Sequence, residues 1–308
     1  MFFGERKVGS RFYEFIFRGY RCLLVENDCI RTVFLLDKGA DIISFVDKKT
    51  DTEFVWTNPM GISCLDKIKN SKMDDECFSD NYVGGWFEIL PNVGADCEVL
   101  GKRFFRHAEV AYMPWDYTVL KDSEEEIELL FITRLSKFPL EVRKTLTLKR
   151  DDKALNFREE IINLSKETIP FNWGFHPNIG KPFLDENCIV ELEGNSFEMP
   201  ECGSNKGMLE IFNDIKNPYA CIYNKRNGTG LEIKWDSEKI NNCWLWISAG
   251  FDQGHHHHNG TYVCCILPTS ARDDNGLAEA EKNNSCMFVS GEKACEIKYS
   301  IGVINKAV

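Results

Sequence analysis

The sequence predicts an all-β protein built from large, stacked antiparallel sheets. Short apolar or alternating runs of strand length follow one another from Ser10 to the C-terminus, separated by Gly, Asn, Asp and Pro turns. β-branched and aromatic residues fill these runs, and the chain holds 22 Phe, 9 Tyr and 7 Trp. Roughly twenty such runs are too many for one open sheet, so the sheets must stack.

In chain order, RFYEFIFRG, RCLLVEN, IRTVFLLDKG and ADIISFVDKK read as strands, followed after the polar turn KKTDT by EFVWTNP. Residues 65–81 are polar and predict a loop with a short helix. YVGGWFEILPNVG, residues 82–94, joins paired glycines to a Trp and a Pro-Asn-x-Gly turn. It reads either as a strand edge or as a place where a ligand approaches the backbone. Four strand-like runs fill residues 103–163. In one of them Glu141, Arg143, Thr145 and Thr147 alternate with Val142, Leu146 and Leu148, and Lys144 breaks the apolar side. CIVELEG is a further strand, and residues 196–220 predict a long loop. ACIYNKRNGTGLEIKWD holds an Asn227-Gly228 hairpin signal. NNCWLWISAGF, TYVCCILP, CMFVSG and ACEIKYSIGVI complete the strands, and residues 273–283 are the best helix candidate. No fixed-period repeat or low-complexity linker interrupts residues 1–308, so one domain is expected.

The net charge of 37 − 48 = −11 argues against nucleic acid and anionic membrane surfaces as partners. No run approaches 18 apolar residues, and MFFGERKVGSRF lacks the apolar stretch of a signal peptide. A cytoplasmic protein with reduced thiols is therefore expected. The 13 cysteines are odd in number, irregularly spaced and without a CxxC pair, which favours buried thiols over a disulfide framework or a zinc site. Dinucleotide, P-loop, GxSxG and HExxH motifs are absent.

The chemistry-bearing candidates are few. His176 lies between Phe175 and Pro177, close to Trp173, where a dehydrated imidazole is either a proton donor or a structural turn residue. His107 and Glu109 are two apart and share a face if the segment is a strand. Glu292 follows Ser290-Gly291 and is either a general base or a solvated turn residue. His255 to His258 precede an Asn-Gly turn and suit adventitious metal binding better than a functional metal site.

Taken together, these blocks resemble the galactose mutarotase-like, or aldose 1-epimerase, family. LLDKGADIISFVDKKTDTEFVW is similar to the family's opening strands, and YVGGWFEILPNVG to a Gly-Gly-Trp block of its less characterised branches. RHAEVAYMPW resembles the His-Gly-Glu…Pro-Trp block, with Ala108 where Gly is common. FNWGFHPNIGKPFL resembles the His-Pro turn, and the stretch from ILPTSARDDN to SGEKACEIKYSIGV resembles the C-terminal block. The resemblance implies a β-supersandwich with an open sugar cleft, a small-molecule sugar as partner, and no cofactor. It implies that Glu292 removes the anomeric proton while His176 protonates the ring oxygen, with His107 assisting. Glu109, Asn92 and Asp252 become substrate-binding candidates, and Trp86 and Trp173 are candidates for stacking on the sugar. Leu267 stands where many relatives carry Glu, and Asp236 is a second candidate for the family's substrate-binding Asp. Lys102, Arg103 and Arg106 hint at a phosphorylated sugar.

Overall fold

The computed structural model describes residues 6–66, 82–236, 238–250 and 261–307. Its first strands are β1 (Arg11–Phe17), β2 (Tyr20–Glu26), β3 (Ile30–Leu35), β4 (Asp41–Asp47), β5 (Thr52–Glu53) and β6 (Trp86–Ile89). A small hairpin, β7 (Cys97–Val99) and β8 (Lys102–Phe104), precedes a 3-10 turn at Val110–Tyr112. Four consecutive neighbours follow: β9 (Asp116–Asp122), β10 (Glu126–Arg134), β11 (Leu140–Lys149) and β12 (Ala154–Asn163). Next come β13 (Ile169–Phe171), β14 (Gly174–Ile179), β15 (Cys188–Leu192), β16 (Asn195–Glu198) and β17 (Lys206–Phe212). The chain continues through β18 (Tyr219–Asn224), β19 (Thr229–Trp235), β20 (Asn242–Ala249) and β21 (Tyr262–Thr269). The short helix α1 (Leu277–Lys282), β22 (Met287–Val289) and β23 (Ala294–Asn305) complete it.

Ten strands form one antiparallel sheet in the order β1-β2-β3-β4-β6-β14-β21-β20-β17, with β5 beside β4. Nine form the other, β16-β15-β18-β19-β23-β12-β11-β10-β9. Local hairpins build each flank, and the long returns through β14, β21 and β23 close the centres. Two expectations are corrected. Residues 196–220 are no structureless loop, because KGMLEIF pairs with β20 as the edge strand β17. His107 and Glu109 lie on a turn rather than a strand: His107 has φ +56 and Glu109 precedes the 3-10 turn.

Between the sheets lies an aromatic core containing Phe45, Trp86, Phe157, Trp173, Phe175 and Tyr299. Lys144 points into it, which explains the break in its strand's alternation. Its Nζ bonds Glu88 at 3.1 Å and sits 4.4 Å over the Trp115 ring. Glu159 accepts from Trp173 Nε1 at 3.0 Å. Burial, the Glu88 charge and a hydrogen bond with Glu88 push the Glu159 carboxyl well above the usual carboxylate range. The glycine pair before β6 serves protein packing. A Cβ on Gly84 would stand 2.5 Å from the Trp56 carbonyl oxygen, and one on Gly85 would stand 3.0 Å from the Ile42 carbonyl oxygen.

Candidate functional site

Side chains alternate along β14. Trp173 and Phe175 both pack on Tyr299 in the core, so His176 and Asn178 face the opposite side of the ten-stranded sheet. Phe87 of β6 lies directly opposite His176 in the register. The two rings stack at 4.5 Å and 14°. Asn178 pairs with Cys265 of β21, and Cys265 with Trp246 of β20. The same register sets Leu267 opposite His176 and Trp244 beyond it. His176 Nδ1 is 3.3 Å from Cys265 Sγ, and its ring centroid is 6.3 Å from that of Trp246. Asn178 is held by Tyr82, whose hydroxyl donates to its Oδ1 at 2.8 Å.

His107 arrives from the loop after β8. Its ring centroid is 5.7 Å from that of His176. Its Nδ1 accepts the Gly94 N–H at 3.1 Å, so the proton of the neutral ring sits on Nε2. Both imidazoles are buried, at 7% and 6% exposure. Burial lowers the His176 pKa to about 3, against smaller opposing pulls from its own backbone and from Asn178. Burial, then the neighbouring His176 and Arg106, hold His107 well below the usual imidazole range. Two neutral, amphoteric rings therefore meet on an aromatic floor, able to exchange hydrogen bonds with hydroxyl and ether oxygens.

A family sequence profile matches residues 17–220, and its description is "Domain of unknown function (DUF4432)". The chain belongs to the DUF4432 family. No curated protein matches it in sequence. Among solved structures, this DUF4432 chain is similar to a Klebsiella pneumoniae protein provisionally assigned as an aldose 1-epimerase. That match has a TM-score of 0.77 at 12% identity over 96% of this chain and 84% of the other. A galactose mutarotase-like protein from Clostridium acetobutylicum matches with a TM-score of 0.68 at 14% identity, over 97% and 99% of the two chains. A galactose mutarotase related enzyme from Lactobacillus acidophilus matches at 0.66 and 14%, over 95% and 98%. The fold is the galactose mutarotase-like all-β fold.

The DUF4432 chain brings His107 and His176 together and does not bring Glu292 to them. Glu292 is exposed on the turn between β22 and β23, where its N–H bonds the Ser165 carbonyl at 2.8 Å. A Cβ on Gly291 would stand 2.1 Å from the Lys166 carbonyl oxygen, so close backbone packing accounts for the Gly-Glu pair. Ile169 pairs with Val289 beside that turn, in a separate small sheet, seven residues along the chain from His176.

Other candidates are committed to packing. Trp86 donates to the Asn178 carbonyl at 2.9 Å and packs on Phe45 in the core. Trp173 is fully buried on Glu159. Neither presents a face to a ligand, because each points between the sheets. Asn92 donates to the Ala95 and Phe105 carbonyls and accepts from Leu277 N–H, so it shapes the loop that carries His107. Glu109 accepts the Ser136 and Lys137 N–H groups at 2.8 and 3.1 Å, away from the imidazoles. Arg106 is paired bidentately with Asp274, and Asp236 is tied by its N–H to β23 of the other sheet. Asp252 and His255 to His258 lie outside the described residues.

Two site residues were not singled out in the sequence: Cys265 and Trp246. Asn172, between β13 and β14, is 1% exposed and has no hydrogen-bond partner at either side-chain amide atom. A depression of about 410 Å³ lies elsewhere, on the outer face of the nine-stranded sheet around Asn156, Arg158, Lys234 and Lys298. Its three cations are paired with Glu296 and Glu232, and Asp236 also lines it, so it offers no unbalanced charge to a ligand.

Proposed function

We propose that the chain binds an aldose over β6, β14, β21 and β20 and interconverts its anomers. In this reading His176 gives a proton to the ring oxygen, the Nε2–H of His107 holds a sugar hydroxyl, and solvent water takes the proton of the anomeric hydroxyl. The C1–O5 bond then opens, C1–C2 rotates, and the ring closes on the other face. The supporting observation is the meeting of two buried, neutral imidazoles 5.7 Å apart on an aromatic floor. That pairing sets two neutral hydrogen-bonding rings beside one sugar site at a low charge cost. Phe87 already covers one face of His176, which leaves half-buried Trp246 as the aromatic available to the sugar's apolar face.

A second reading is binding without turnover, and Leu267 favours it. That side chain lies opposite His176, and the side chains in contact with His176 include no carboxylate among the described residues. Freshly dissolved single anomers of a panel of aldoses, followed by polarimetry, separate the two. Faster equilibration of any member supports interconversion. Saturable binding with unchanged equilibration across the panel supports the second reading, and neither effect removes both.

A further inference from the structure

We propose that Cys265 is a positioning residue: its thiol donates S–H to Nδ1 of His176 and thereby fixes the ring proton on Nε2. The inference rests on the reading of this pocket as a sugar site for its purpose, but its geometry stands independently. Sγ lies 3.3 Å from Nδ1, and both groups are buried. Burial raises the thiol pKa well above its usual range, so the sulfur keeps a proton to give. Imidazole nitrogen is the better acceptor of the pair, since thiol sulfur accepts only weakly. The strands leave little alternative for the ring. Phe87 stacks on one face and Trp246 approaches from β20, so rotation of the imidazole is restricted.

Cys264, the preceding residue, pairs with Ile179 and so faces the core side of β21, whereas Cys265 pairs with Asn178 on the side of His176, so only Cys265 reaches the histidine. The Cys265 bond has a functional consequence. His107 is already an Nε2–H ring through its bond from Gly94. With His176 in the same tautomer, the two rings present like donors, and a ligand must bring acceptor oxygens to both.

The test uses the full chain labelled with 15N-histidine, with the His176 signals identified by their loss in His176→Gln. Long-range 1H–15N correlation spectra distinguish the tautomers. The expected result is an Nε2–H ring at His176 in wild type, the same ring in Cys265→Ser, and a mixture or the Nδ1–H form in Cys265→Ala. Sugar affinity falls about three- to tenfold in Cys265→Ala and recovers in Cys265→Ser. An Nδ1–H ring in wild type overturns the proposal, and that result needs no variant to fold. An unchanged tautomer in Cys265→Ala also overturns it. The predicted tautomers in a protein that binds no aldose would leave the assignment standing and remove the sugar reading instead.

Discussion

His176 and His107 pay for their neutrality in acid. Their folded-state pKa values lie below the roughly 6.5 of a free imidazole, so the unfolded chain binds more protons as pH falls. Their share of stability is fully present above that value and is lost as pH drops towards about 3 for His176. Urea unfolding at pH 7 and pH 4.5 checks this: His176→Gln should recover about 2 kcal/mol of the wild-type loss. Over pH 6–8 neither ring changes charge, so anomer exchange should show no inflection near 6.5. Replacing the orphaned Asn172 amide with Leu should raise stability by about 1–3 kcal/mol in the same urea titration. Glu292→Gln, at an exposed turn, should leave exchange within about twofold of wild type, against about tenfold or more for a base in the transition state. The histidines were legible because imidazoles are scarce and each sits in a distinctive local sequence. Trp86 and Trp173 point into the core because facing depends on register, and Asn92 and Glu109 are held by loop backbone groups from distant segments; local sequence supplies neither. Cys265 and Trp246 reach His176 only through the β14-β21-β20 order, which joins segments about seventy to ninety residues apart.

At the scale of elements, the central strands trade simple packing for buried polar joints. Lys144 on β11 and Glu88 on β6 tie one sheet to the other directly beneath the strand that carries His176. Lys144→Met strands the Glu88 carboxylate and should cost about 3–5 kcal/mol, whereas Lys144→Met combined with Glu88→Leu should cost much less. Denaturant titration of the two variants checks the difference. The sequence marked Lys144 as a break in alternation without naming its partner, since Glu88 lies 56 residues away in the other sheet. Most strands were legible from period-two patterns and turn residues. β17 was hidden because its residues are only partly buried at a sheet edge, and the surrounding Gly, Asn and Pro outweighed KGMLEIF.

At the scale of the whole molecule, two sheets of ten and nine strands among the described residues form a base, and the ten-stranded sheet carries the imidazoles on its outward face. The all-β class was legible from composition and spacing, and the mutarotase-like arrangement from the order of several loose blocks. What those blocks could not convey was which carboxylate, if any, faces the histidines. The central claim is that the imidazole pair moves protons at an anomeric carbon. Saturation-transfer NMR on α and β anomers of an aldose panel measures this at equilibrium, with wild type beside the His107→Gln, His176→Gln double variant. The account predicts faster exchange for at least one aldose with wild type and at least about a tenfold loss in the double variant. Equal exchange with both proteins, or none above the uncatalysed rate for any aldose, would contradict it.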